Sequence, residues 1–83
     1  MKKRENRAVH FAVCLNNEDY KASLEVGKLY RVIPDKEAES HGLIRVIDES
    51  GEDYAFSAKR FSPVELPQKA EKALLAAARV STQ

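Results

Sequence analysis

The sequence predicts a mainly-β domain in which five short strands form a small barrel and are followed by a C-terminal α-helix. Three observations predict this fold class. Apolar and polar residues alternate over short segments between residues 8 and 66, turn-forming residues separate those segments, and an alanine-rich segment follows Pro67. Alternation with a period of two is typical of strands, and several short strands separated by turns are typical of small barrels.

The first predicted strand covers residues 8–15. One face of this segment carries Val9, Phe11, Val13 and Leu15, and the other carries Ala8, His10, Ala12 and Cys14. A polar loop over residues 16–28 follows, and it begins with the turn-forming residues Asn16 and Asn17.

Further alternating segments predict the other strands. They cover residues 29–33, 43–48, 53–57 and 62–66. Pro34 ends the second strand because it has no N–H to donate. Gly51 is free to adopt the positive φ of a tight hairpin between the third and fourth strands. A charged loop over residues 35–42 has room for one helical turn.

The end of the chain predicts a 3₁₀ turn, an edge strand and a helix. Residues 58–61 are too few for an α-helix and suit a single 3₁₀ turn. The fifth strand contains Pro63, which predicts an edge strand. Pro67 suits the first position of the helix. The chain therefore divides into a flexible basic tail (1–7), the barrel (8–66), and the helix with its frayed end (67–83).

The helix has an apolar stripe of small residues, which packs either on the barrel or on a partner. Helical spacing places Ala70, Ala73, Leu74, Ala77 and Val80 on this stripe. Packing on the barrel predicts a monomer, and packing on a second copy predicts a weak dimer through the C-terminal helix.

Length, cysteine content and charge narrow the class of protein. Eighty-three residues form one domain with a thin core. Cys14 is the single cysteine and no apolar run is long enough to span a membrane, so we expect a cytoplasmic protein without a membrane partner. The net charge of the whole chain is +1, but its central part is acidic, because residues 11–66 carry seven basic and eleven acidic side chains.

Two segments resemble Src-homology-3 domains. SLEVGKLYRVI, residues 23–33, is similar to the diverging turn and second strand, and SGEDYAFSAKRFSPVEL, residues 50–66, is similar to the hairpin, 3₁₀ turn and last strand. The resemblance implies a five-stranded barrel, with Gly27 closing the diverging turn and Phe61 as the aromatic of the 3₁₀ turn. The chain also resembles small bacterial proteins of no known activity that share a GLIRVIDESGEDY-type core.

The chain departs from the peptide-binding Src-homology-3 domains at the ligand groove. It has no tryptophan, and His41-Gly42-Leu43 stands where the third strand of those domains begins with one. Because proline-rich ligands dock on aromatic-lined grooves, the resemblance carries the fold and not this ligand class.

The polar loop and the 3₁₀ turn predict a protein-binding site. In the barrel these two connections flank one groove, so aromatic rings and carboxylates would lie side by side and suit a basic or extended peptide. The candidate residues are Glu18, Asp19, Tyr20 and Phe61. The alternative is structural: Phe61 plugs the end of the barrel and Tyr20 covers the core.

Basic residues predict an alternative function in RNA or ribosome association. Cationic side chains bind phosphates and release counterions. The candidate residues are Lys2, Lys3, Arg4, Arg7, Lys59 and Arg60.

No pattern predicts catalysis, a cofactor or a metal site. The serines lack the context of a nucleophile, and three glycines do not make a phosphate-binding loop. His10 and Cys14 share a strand face but stand roughly 13 Å apart, too far for both to bind one zinc ion. The acidic residues around Gly51 do not have calcium-loop spacing. We therefore expect a non-catalytic interaction module.

Overall fold

The computed structural model describes residues 9–81, with side chains as far as residue 77. It contains β1 (Phe11–Cys14), β2 (Leu29–Ile33), α1 (Lys36–Ser40), β3 (Leu43–Ile47), β4 (Asp53–Ser57), a 3₁₀ turn (Ala58–Arg60), β5 (Phe61–Val64) and α2 (Gln68–Ser81). The predicted mainly-β class, the 3₁₀ turn before the last strand and the C-terminal helix are confirmed. The predicted basic tail, residues 1–7, lies outside the described residues.

The strands form one antiparallel sheet in the order β4-β3-β2-β1-β5. The sheet is not closed into a barrel, so the prediction of a closed barrel is wrong. The backbone of β5 gives a physical reason. Leu15 N–H donates to Arg60 O. Because hydrogen-bonded pairs alternate with non-bonded pairs in an antiparallel ladder, the backbone N–H and C=O positions of Phe61 and Pro63 point away from β1. Phe61 N–H already donates to Ala58 O, and Pro63 has no N–H, so neither residue has a donor for a further strand.

The main buried cluster lies against one face of the sheet and contains three aromatic rings, and Phe11, on the opposite face of β1, is buried as well. On β1 the face with the small side chains lines this cluster, because Ala12 and Cys14 are fully buried. Small residues there leave room for the larger rings opposite. The buried cluster consists of Ala12, Cys14, Leu24, Tyr30, Val32, Val46, Phe56 and Phe61.

The short helix α1 occupies the charged loop between β2 and β3, where the sequence predicts room for one helical turn. Asp35 caps this helix, because its Oδ1 accepts a hydrogen bond of 3.0 Å from Ala38 N–H. Its other carboxylate oxygen accepts a 2.9 Å bond from Arg45 Nε on β3. The cap and the ion pair together hold α1 on the sheet.

The helix α2 contacts the residue before β1 through a pair of polar side chains, because Glu71 Oε2 lies against His10 Nδ1. The residues of α2 that are half-buried are Ala70, Glu71 and Leu75. The predicted apolar stripe is therefore displaced: Ala73, Leu74 and Ala77 are exposed, and the side chain of Val80 lies outside the described ones. Among the described residues, no helix has the length and apolar character to span a membrane.

Candidate functional site

The loop between β1 and β2 has a defined conformation around Tyr20. Tyr20 N–H donates to Asn17 O at 2.8 Å, and the N–H groups of Ser23 and Leu24 both donate to Tyr20 O at 2.9 Å. Asp19 has a φ of +73°, a conformation that few residues other than glycine adopt. Leu24, which is 1% exposed, anchors the loop in the core.

The ring of Tyr20 is half exposed and held by two contacts. Its edge meets the ring of Phe56 at a centroid distance of 5.1 Å and an interplanar angle of 81°. The guanidinium carbon of Arg60 lies 4.7 Å from its centroid. Tyr20 still exposes 43% of its surface. The ring is thus both oriented and available to solvent.

Arg60 joins the 3₁₀ turn to this loop. Its Nη1 donates to Asn16 O at 3.2 Å and to Asn16 Oδ1 at 3.4 Å. Because Arg60 stacks on Tyr20 and bonds Asn16, residues 44 positions apart in the sequence form one surface. We call this the Tyr20–Arg60 surface, and it comprises Asn16, Glu18, Asp19, Tyr20 and Arg60.

The Tyr20–Arg60 surface carries charges of both signs. Glu18 and Asp19 are exposed, and the guanidinium of Arg60 lies over the neighbouring tyrosine ring. Asn16 Oδ1 also accepts a 2.8 Å hydrogen bond from Glu18 N–H, which fixes the start of the acidic segment. The exposed Lys59 precedes Arg60 in the 3₁₀ turn.

Phe61 does not belong to this surface. It is 5% exposed, and its ring centroid lies 6.2 Å from those of both Tyr30 and Phe56. The expected exposure of Phe61 is therefore not observed. Its ring packs in the core, as in the structural alternative, although there is no barrel end for it to plug. Phe61 directly follows the 3₁₀ turn as the first residue of β5, and its ring points into the core.

The two sequence-predicted sites partly coincide. Arg60, a candidate for the nucleic-acid site, lies against Tyr20 of the protein-binding site. The tail candidates Lys2, Lys3, Arg4 and Arg7 lie outside the described residues. Sequence reasoning did not pair Arg60 with Tyr20, although an arginine beside an aromatic loop is a combination that cation–π attraction favours.

A polar cluster stabilises the other end of the loop between β1 and β2. Tyr30 donates from its hydroxyl to Glu49 Oε2 and accepts a 2.7 Å bond from Glu25 N–H. Lys28 Nζ lies 2.8 Å from Glu49 Oε2, and Glu49 N–H donates to Ser23 O at 2.9 Å. The cluster therefore ties the loop to the segment that follows β3.

The pKa values of three groups in this cluster differ from their ordinary values. Burial, and then the hydrogen bond to Glu49, raise the pKa of Tyr30. The hydrogen bonds from Lys28 and Tyr30 lower the pKa of the Glu49 carboxyl, and the hydrogen bond to Glu49 raises the pKa of Lys28. Each shift favours the protonation state that completes the cluster.

The acidic hairpin between β3 and β4 is held by its own hydrogen bonds. Asp48 is 6% exposed, and its Oδ1 accepts bonds from Ser50 N–H at 2.8 Å and from Ser50 Oγ at 2.5 Å. Gly51 has the positive φ, +88°, that the turn requires. Within the part of the chain that the structure describes, no group of three or more His, Cys, Asp or Glu side chains is placed to hold a metal ion.

Comparison with protein-family models, curated proteins and solved structures finds no match to this chain. The resemblance to Src-homology-3 domains therefore rests on the residues quoted for it.

Proposed function

We propose that this protein is a non-catalytic interaction module that binds an extended segment of another protein at the Tyr20–Arg60 surface. The observation that carries the proposal is the exposed Tyr20 ring, fixed between Phe56 and Arg60. Tyrosine and arginine are the side chains most enriched among the residues that dominate protein–protein binding energy.

Preorganisation supports this role. A side chain that must be ordered on binding costs about 0.5–1.5 kcal/mol of affinity. Tyr20 and Arg60 already hold each other, and Arg60 is fixed further by Asn16. A partner would therefore bind an aromatic ring and a guanidinium that are already ordered in the folded protein.

The charges around the ring indicate what the partner carries. Glu18 and Asp19 offer exposed carboxylates for basic side chains, and Arg60 offers a planar donor group for a carboxylate or a backbone carbonyl. An extended segment with an apolar or aromatic residue next to a basic one would use all of these groups. The loop and the 3₁₀ turn both contribute side chains to this surface, so an extended segment could contact the two connections together. The lone buried thiol of Cys14 supports a cytoplasmic setting.

Binding measurements on tyrosine variants test the proposal. We expect proteins captured by the wild-type chain from its own cells, once purified, to bind Tyr20→Ala at least about tenfold more weakly, because truncating a central interface residue costs about 2 kcal/mol or more. Tyr20→Phe should retain binding, since it keeps the ring under Arg60.

Tyr54→Ala is the matched control, because Tyr54 is 48% exposed and lies on β4, outside the Tyr20–Arg60 surface. It should bind the same proteins with unchanged affinity. Equal affinity of wild type and Tyr20→Ala, or capture of no protein by the wild-type chain, would contradict the proposal. Circular dichroism of each variant separates loss of binding from loss of fold.

Single-stranded RNA is a second candidate ligand, favoured by the stacking of Arg60 on Tyr20 beside Lys59. Aromatic rings next to cationic side chains bind bases and phosphates together. The candidate predicts RNA retention at about 50 mM salt that falls steeply by about 200 mM, and that is lost when Lys59 and Arg60 are both replaced with alanine. No retention at the lower salt concentration removes RNA as the ligand.

A further inference from the structure

The outer edge of β4 has unpaired backbone groups. Ala58 N–H donates to Gly42 O and Asp48 N–H donates to Glu52 O, and the register between these two bonds places Ala55 opposite Arg45. In an antiparallel ladder the hydrogen-bonded pairs alternate with non-bonded ones. The N–H and C=O groups of three β4 residues therefore point away from β3. These residues are Asp53, Ala55 and Ser57.

The two edges of the sheet are protected differently. On β5 the outward positions are Phe61, whose N–H is used within the 3₁₀ turn, and Pro63, which has none. On β4, which ends the sheet, the Ser57 C=O is used by the 3₁₀ turn that Ser57 caps, whereas the outward groups of Asp53 and Ala55 face no neighbouring strand among the described residues. Proteins usually block such an edge with proline, lysine or a bulge, because it otherwise pairs with another strand.

The outward groups of β4 are self-complementary. They form a set of three that is symmetric about Ala55. A second β4, related by a twofold axis through Ala55, would place Ala55 opposite Ala55 and Asp53 opposite Ser57. The two Ala55 residues can exchange two hydrogen bonds, and in each Asp53–Ser57 pair the Ser57 N–H can donate to the Asp53 C=O, while the Ser57 C=O stays in the 3₁₀ turn.

Charge favours the same antiparallel register. The acidic residues Glu52 and Asp53 lie at the start of β4, and the exposed Lys59 lies two residues after its end. Antiparallel pairing of two copies brings the acidic end of each strand next to the basic end of the other. Opposite charges at neighbouring positions across strands stabilise the pairing. The exposed Tyr54 ring would lie opposite Phe56 of the second copy.

We propose that two copies of this chain associate through β4, and that their sheets join into one continuous sheet across a twofold axis at Ala55. This interface is separate from the Tyr20–Arg60 surface, and its test does not depend on the proposed function. It also differs from association through α2, because it uses backbone hydrogen bonds of the sheet.

Sedimentation equilibrium of the full chain from micromolar to millimolar concentration tests the proposal. The wild type should show a reversible monomer–dimer equilibrium. Ala55→Pro should raise the dissociation constant about tenfold or more, because it removes the central outward donor. The ladder with β3 stays intact, since Ala55 N–H does not bond β3. Ala55→Thr keeps the N–H and should dimerise like the wild type.

A charge-reversal experiment tests the register without proline. Lys59→Glu and Glu52→Lys each place like charges together in their own dimers and should weaken association. An equimolar mixture of the two variants should restore it, because every such contact in the mixed dimer joins opposite charges. The mixture also tests the proposed dimer if the Ala55→Pro variant does not fold.

Three outcomes would overturn the proposal. They are a monomeric wild type at every concentration, a dimer unaffected by both Ala55→Pro and the charge reversals, and a dimer lost on Leu74→Asp in α2 but kept in the β4 variants. In the last case the dimer uses the helix.

Discussion

Replacing Phe61 with alanine is expected to destabilise the domain by about 3–5 kcal/mol. The ring is 5% exposed and packs against Tyr30 and Phe56, so its removal leaves a cavity in the core. A domain of this length has a total stability of about 4–12 kcal/mol. The variant should therefore lose a large part of its stability, measured as a lower denaturant midpoint at unchanged slope.

Phe61→Leu is the control, because it keeps an apolar side chain of intermediate size and should lose less stability. The result that would contradict the core position of Phe61 is an alanine variant as stable as the wild type that nevertheless fails to bind a partner. Such a variant would return Phe61 to the binding surface. With the structure as observed, Phe61→Ala tests packing and is unsuitable as a probe of binding.

Replacing Tyr30 with phenylalanine is expected to lower the free energy of unfolding by about 1–3 kcal/mol. The Tyr30 hydroxyl accepts a hydrogen bond from Glu25 N–H and donates one to Glu49. Its loss leaves the amide and the carboxylate without their shared partner and loosens the loop that carries Tyr20. Tyr54→Phe is the control, because the Tyr54 hydroxyl contacts only the exposed Glu52 in the described structure.

The same substitution should change the dependence of stability on pH. The folded state holds the Tyr30 proton more tightly than the unfolded chain, whose ordinary pKa is 10.0. The stabilisation is thus complete below about pH 10 and is lost as the pH rises further. The raised pKa of Lys28 acts in the same direction, although solvent screens this lysine because its side chain is 47% exposed.

At acidic pH the dependence has the opposite sign, because stability is lost as the pH falls. The pKa of Glu49 is lowered from 4.5, so its contribution is present above that pH and is lost as the pH falls through the folded-state value. Urea unfolding at a series of pH values measures both effects. We expect Tyr30→Phe to lose stability less steeply above pH 10 than the wild type, and equal slopes would contradict the assignment to Tyr30.

Local sequence patterns predict the secondary structure of this domain well, because its elements follow local rules. The second and fourth strands have the predicted bounds, residues 29–33 and 53–57, since Pro34 and Gly51 mark where they end or turn. Whether the sheet closes into a barrel was not predictable in the same way. It depends on whether the two edge strands meet, and on details such as the use of Phe61 N–H within the 3₁₀ turn.

The candidate site was predictable only in part. Alternating polarity and turn residues place Tyr20 with Glu18 and Asp19 in one exposed loop. They do not tell which way the first residue of a strand points, and so they leave Phe61 open between the binding surface and the core. The stacking of Arg60 on Tyr20 joins two distant segments, and it depends on how the loop folds over the sheet.

Site-specific photocrosslinking in living cells tests whether the Tyr20–Arg60 surface is the binding site for another protein. A photoreactive phenylalanine analogue is placed at position 20 in one variant and at position 54 in the other, because both tyrosines are similarly exposed. We expect position 20 to crosslink to a different protein and position 54 to crosslink to a second copy of this chain. Crosslinking to the same foreign protein from both positions, or from position 54 alone, would contradict the assignment of the Tyr20–Arg60 surface as the binding site.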